Sequence, residues 1–319
     1  VLLSLPQNRT GNAQTSLRTC AAPAKLHLLP PARRWSAPAA LRYWHLASLD
    51  APTVAAIWSL AFAWVSGVRL ALWIIALQAL TVWTVYVGDR LLDARAALRR
   101  QLAEGLRERH YFHWRHRRVL APAACAAACA AAWIALRCMP IVVKERDSFL
   151  AAASALYFTR VHAFTRVHAG RLRRMMRKEL IVGILFTAGC AWPSASPAIA
   201  LPAIFFAALA WLNCLAIEAW EGGKTESERV PFAARRSIPL GSAAIRLACA
   251  GVIIAAILLP FTPRAAAMLA AGALSALLLA VLDSTRERIA AVAVRALADL
   301  VLLAPALLLA VRRLPLRGI

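Results

Sequence analysis

Acidic residues are scarce in this chain, with 15 Asp+Glu against 38 Lys+Arg over 319 residues and none before Asp50. A net charge of +23 on a soluble domain would point to nucleic acid. Here the basic residues lie mostly between long apolar runs, where they orient a membrane chain and meet anionic headgroups, so no nucleic-acid partner is expected. The seven cysteines show no CxxC spacing, and most stand in Ala/Leu-rich segments as small hydrophobes. A zinc ribbon and a disulfide framework are thereby excluded. No repeat of 20–50 residues is visible, which excludes a solenoid. The acid-free start has no clear apolar stretch followed by a small-residue cleavage site. Residues 1–44 are therefore read as a basic, poorly ordered tail, and 45–319 as a transmembrane helical domain.

What the chain has in excess is apolar sequence. It is 61% apolar and 17% charged, with a mean hydropathy of +0.62, against about a quarter charged in an ordinary soluble domain. The apolar residues come in nine runs, at about 51–66, 68–87, 119–136, 148–162, 180–191, 198–217, 243–259, 265–282 and 290–311. A helix crossing the hydrocarbon needs about 20 residues, fewer where its ends are buried in a bundle. The expected fold is all-α, a polytopic membrane bundle of about nine transmembrane helices, with the fourth and fifth runs the shortest. Pro202, Pro260 and Pro305 fall within or beside later runs, where neighbouring helices satisfy a freed carbonyl.

Charge supplies an independent check on that count. With nine crossings, the N-terminal tail and the connections after runs two, four, six and eight share one side and carry 30 of the 38 Lys+Arg. The other side holds Arg69, Arg137, Lys144, Arg146, Arg264 and the C-terminal Arg312, Arg313 and Arg317. Basic connections stay cytoplasmic, which makes this a multi-pass inner- or plasma-membrane protein with its N-terminus and basic loops inside. Removing one middle run would divide the basic loops between the two faces.

Among so few acids, two pairs stand out. Asp89 and Asp93, in Val-Tyr-Val-Gly-Asp-Arg-Leu-Leu-Asp, are spaced i,i+4 at the inner end of run two and share a helical face. Like charges there repel by a few tenths of a kcal/mol, a repulsion that a bound cation relieves. Glu218 and Glu221, in Asn-Cys-Leu-Ala-Ile-Glu-Ala-Trp-Glu, are spaced i,i+3 at the inner end of run six, with Asn213 upstream. Both pairs fall at the same depth on the same side. Mg²⁺ takes one or two carboxylates, waters and phosphate oxygens, so two acidic faces meeting at one interface make a candidate metal–diphosphate site. Arg90, Arg95, Arg160 and Lys178 stand nearby in sequence to hold phosphate oxygens. The plainer alternative is an interfacial ion pair of Arg90 with Asp89 or Asp93.

These residues resemble the UbiA-type membrane prenyltransferase superfamily over about residues 45–311. That family has nine membrane helices, with Asp-rich motifs at the inner ends of the second and sixth. Asp89 and Asp93 match the last two acids of its NDxxDxxxD, with Val85 and Tyr86 in place of its Asn and first Asp. Asn213, Ile217 and Glu221 occupy the three places of its DxxxDxxxD, with Glu218 displaced by one. Tyr157-Phe158-Thr159-Arg160 and Lys178 are similar to its diphosphate-holding basic region, and Asn213 joins them there. The resemblance implies a UbiA-like fold and Mg²⁺-dependent transfer of a prenyl group from a prenyl diphosphate to a lipophilic acceptor. Asp89, Asp93, Glu218 and Glu221 would be the catalytic metal ligands, and membrane lipids the surrounding partners.

Other readings stand beside this one. The same bundle without catalysis would bind a lipid or a partner protein. A secondary transporter would place ionisable groups within the membrane, and Asp299 in run nine is the one serious candidate, with Arg295 a turn earlier as its structural partner. His110, His113 and His116 form HxxHxxH among Tyr111, Phe112, Trp114 and four arginines. They read either as a metal site or as an interfacial segment on headgroups, the latter also placed to cap the acids.

Overall fold

The computed structural model describes residues 35–99, 108–163, 171–222 and 239–311. Their secondary structure is helical, apart from one isolated bridge between Trp35 and Ile289. In chain order the helices are α1 (Ala39–Leu46), α2 (Asp50–Ser66), α3 (Leu72–Arg99), α4 (Glu108–Arg115), α5 (Arg117–Cys138), α6 (Ile141–Ala163), α7 (Arg171–Ala191), α8 (Ala200–Gly222), α9 (Leu240–Leu258), α10 (Pro263–Thr285), α11 (Ala291–Leu300) and α12 (Pro305–Val311). Helix α1 begins ahead of the boundary expected at 45, and the remainder of the expected tail, 1–34, lies outside the described residues.

Five helical stretches are long and apolar enough to cross a membrane: Leu72–Leu98, Arg117–Cys138, Pro197–Trp220, Leu240–Leu258 and Pro263–Arg288. Two bent pairs bring the number to seven, α1 with α2 across an 88° turn and Ala291–Leu303 with α12 across a 46° bend at Pro305. The chain is thus a polytopic helical bundle and an integral membrane protein. Seven of the nine expected runs fall on these stretches. The fourth and fifth fall on α6 and α7, which have 23 and 21 residues but open on charged turns. Lys144, Glu145, Arg146 and Asp147 lead α6; four arginines, Lys178 and Glu179 lead α7. Length is sufficient in both helices, and composition is what separates them from the other seven.

The core lies where α2, α8, α9 and α10 meet. Trp58 stacks on Phe206 with ring centroids 3.7 Å apart, and its indole N–H donates to the Leu302 carbonyl at 2.9 Å. Phe205 fits between α9 and α10 because Gly251 and Gly272 face its ring. A Cβ at either glycine would stand 2.6–2.7 Å from a ring carbon. Outward-facing Val252, Ile253 and Ile257 of α9 and Leu274, Leu277 and Val281 of α10 are exposed. So broad an apolar surface suits lipid rather than water.

Two sets of contacts mark the ends of the bundle. At one end the Trp220 indole donates to Asp283 at 2.8 Å, and Trp35 exchanges backbone hydrogen bonds with Arg288 and Ala290. At the other, Ser66 Oγ donates to the Ser194 carbonyl at 2.7 Å. Helix α7 runs antiparallel to α8: Gly183 lies against Ala207 and Trp211, where an added Cβ would come within 3.0–3.2 Å of backbone atoms. It runs parallel to α2, whose last residue Ser66 meets Ser194 just beyond α7, and antiparallel to α3, from which the Gln78 amide donates to the Gly189 carbonyl. Small residues of this kind let membrane helices approach at the backbone.

Candidate functional site

The 88° turn between α1 and α2 is the start of a buried polar network. Ser48 sits in the turn with φ +62°, a conformation costing a non-glycine residue roughly 1–3 kcal/mol. Its hydroxyl gives a reason for serine there. It accepts from Arg90 Nη1 at 2.6 Å and lies 3.0 Å from His113 Nε2. His113 Nδ1 is 2.8 Å from the Arg109 carbonyl and must be the donor, so Nε2 accepts the serine proton. Arg90 Nη1 also donates to the His45 carbonyl at 3.0 Å. One guanidinium on α3 therefore clamps the turn and, through Ser48, α4.

Charge closes the network. His45 Nδ1 lies 2.6 Å from Asp50 Oδ2 and 3.9 Å from Asp299 Oδ2, and Arg90 Nη2 is 3.5 Å from Asp50 Oδ2. Asp50 is 1% exposed and Arg90 4%. Removing one partner of such a buried pair strands a charge at a cost of about 3–5 kcal/mol. Asp299, arriving from α11, also accepts from Asn213 Nδ2 of α8 at 3.4 Å. His45, Asp50 and Asp299 offer ligand atoms within 4.8 Å of one another, a cluster compatible with a divalent cation. One imidazole nitrogen and two carboxylates suit a borderline metal better than Mg²⁺, which prefers oxygen. Burial holds the His113 imidazole down at about 4, and the neighbouring cations Arg90 and Arg109 act the same way.

A second polar group lies on α3, α7 and α8. The Glu179 carboxyl is within electrostatic reach of Lys178, Glu218 and Asp89, and it accepts a hydrogen bond from the Cys214 thiol. Asp89 and Glu218 are half-buried, and Lys178 is exposed. Asp89 and Glu218, the first acid of each expected pair, thus both act electrostatically on one carboxyl of a third helix.

The other expected residues are placed as follows. Asp93 and Arg95 are exposed on α3. Arg90 points into the buried network, where its partners are Asp50, Ser48 and His45. Asn213 is buried against Asp299. Arg160 and Glu221 fall on α6 and α8, with side chains outside the described residues. His110 and His113 are buried and His116 is exposed. His116 Nδ1 donates to the Phe112 carbonyl at 2.9 Å, so two of the three imidazoles spend a nitrogen on backbone. Among the described residues, the group spaced to hold a metal is His45, Asp50 and Asp299.

Sequence reading missed His45, Ser48, Asp50 and Glu179. A signal existed for two of them: Asp50 is the first acid in the chain and opens an apolar run, and Glu179 is the lone acid of a basic stretch. No protein-family model, curated protein or solved structure matches this chain.

Proposed function

We propose that the chain is a divergent UbiA-like membrane enzyme of nine crossings that transfers a prenyl group from a prenyl diphosphate to a lipophilic acceptor. The observation that carries this reading is the electrostatic influence that Asp89 of α3 and Glu218 of α8 both exert on Glu179 of α7. Acids from the second and sixth apolar runs thereby gather beside Lys178, at the end of the bundle where the Arg-rich connections lie.

The donor chemistry fits the cofactor. Asp89, Glu218 and Glu179 are oxygen donors of the kind Mg²⁺ takes together with phosphate oxygens, and Lys178 is a compact positive charge suited to a diphosphate. Bound there, Mg²⁺ would neutralise charge on the departing pyrophosphate. The chain's own part is to hold the diphosphate at the bundle end and to keep water from the allylic carbon with the apolar interior. The allylic C–O bond breaks, the acceptor forms the new bond to that carbon, and the acceptor's proton is released.

Nine crossings rather than seven are supported by helix directions. Helix α5 leaves the Arg-rich end, since Thr84 of α3 meets Ala124 seven residues into α5. Helix α7 starts at that same end, because Glu179 lies near Asp89 and Glu218. Helix α6, about 34 Å long at 1.5 Å per residue, is what returns the chain between them.

In a titration of the detergent-purified protein with Mg²⁺ and prenyl diphosphates of graded length, at least one length binds. Asp89→Asn and Glu218→Gln each weaken that binding tenfold or more. Absence of binding across the series, or unchanged binding by both variants, overturns the reading. A second reading, the same bundle without turnover, is favoured by one observation: Arg90 and Asn213, both expected on the diphosphate, are engaged inside the network. Tight binding with no product from any aromatic or lipid acceptor would assign it.

A further inference from the structure

We infer that the groove between α1 and α4 is a binding site for the headgroup of an anionic phospholipid. This inference depends on membrane residence and on the Arg-rich side facing an anionic leaflet, and it stands apart from the prenyl-transfer reading. Helix α1 turns 88° from α2. Where α2 crosses the bilayer, α1 therefore lies along the membrane surface, and α4 lies beside it. Between them is a groove of about 340 Å³, lined by Arg42, Tyr43, Glu108, Tyr111, Arg115 and His116 among others.

The lining selects the ligand. Arg42 is ion-paired to Glu108, which ties the two helices and leaves Arg115 as the positive charge in excess. Tyr43 and Tyr111 are 61% and 56% exposed, rings of the type that settle at headgroup depth. His116 gives its Nδ1–H to Phe112 and keeps Nε2 for a further partner. An apolar tail would desolvate two arginines and a glutamate in this groove, at a cost nothing in the lining repays. A phosphodiester offers Arg115 the oxygens its guanidinium fork matches, while the glycerol region can lie against the tyrosines. The groove lies on the Arg-rich side, where the anionic leaflet adds about 1 kcal/mol of attraction per basic residue.

The network behind the groove keeps it in shape. His113, on the inner face of α4, is joined through Ser48 to Arg90, so neither helix can swing freely to close over the gap. The site is therefore largely pre-formed, and little ordering cost opposes the lipid.

The test is native mass spectrometry of the full-length protein in detergent, titrated separately with phosphatidylglycerol and phosphatidylcholine. The expected result is preferential retention of phosphatidylglycerol, weakened roughly tenfold or more by Arg115→Glu and within about threefold of wild type in Arg115→Lys. Arg137→Glu at the far end of α5 leaves retention unchanged. A thermal melt of each variant separates loss of binding from loss of fold, and Tyr111→Ala, which removes an exposed ring, supplies a second variant expected to weaken retention. Equal retention of the two lipids by the wild-type protein overturns the inference. Unchanged retention by both Arg115→Glu and Tyr111→Ala overturns it as well. Full displacement of phosphatidylglycerol by millimolar inorganic phosphate would assign the groove to free phosphate and overturn the lipid assignment.

Discussion

At the scale of single residues, His113 is a group through which pH reaches the fold. Its ordinary value is 6.5, and burial, with Arg90 and Arg109 beside it, holds it at about 4 in the folded chain. Between those values the unfolded chain binds a proton that the folded chain refuses, so stability rises with pH across that window. The contribution is complete above about 6.5 and is lost as pH falls toward 4. Unfolding in detergent followed at pH 7.5, 5.5 and 4.5 should show a falling midpoint. His113→Gln, which keeps a donor and an acceptor and cannot titrate, should flatten the fall; an equal slope in the variant would refute the assignment. The imidazole's importance was only half legible in sequence. HxxHxxH is visible, but the partner that fixes the tautomer, Ser48, lies 65 residues away in a turn no pattern announces. Asp89 and Glu218 were legible because acids are rare in an apolar chain. His45 and Asp50 were not, because their meaning depends on Arg90 and Asp299 arriving from other helices.

At the scale of elements, the two helices that composition leaves uncertain are the informative ones. Apolar run length identified seven stretches, because lipid-facing and core-facing residues are both apolar and period hardly matters. It gave weaker signals for α6 and α7, whose charged first turns dilute the average. Packing supplies what hydropathy lacks for α7. Gly183 lets it approach the α8 backbone, and any Cβ there would crowd Trp211 and Ala207. Gly189, on the same helix, has open space around it. Gly183→Ala should therefore destabilise the bundle by about 1–3 kcal/mol, the usual cost of overpacking. Gly189→Ala should be neutral, or stabilising by up to about 1 kcal/mol through helix propensity. Thermal or SDS unfolding of the two variants makes the comparison. Equal effects would mean that α7 does not rest on α8 as closely as the structure has it.

At the scale of the whole molecule, the proposed nine crossings make a testable claim about sidedness. If α6 and α7 did not cross, the chain from Cys138 to α8 would stay on the far side, and the basic start of α7 would join it. That arrangement moves the cluster from Arg171 to Lys178 away from the other basic connections, against the rule that such loops remain cytoplasmic. It also separates Glu179 from Asp89 and Glu218, which the structure holds within electrostatic reach. Both objections vanish if α6 returns the chain and α7 crosses again. Single-cysteine variants decide between the two: one retaining exposed Cys138, one with Arg115→Cys and one with Lys178→Cys, in a background without the other native cysteines. In vesicles of one orientation, an impermeant maleimide should label positions 115 and 178 from the same side and Cys138 from the other. Labelling of position 178 together with Cys138 would reduce the crossings to seven and remove Lys178 and Glu179 from the diphosphate end. The gathering of acids on which prenyl transfer rests would go with them, whereas the headgroup groove between α1 and α4 would keep its place.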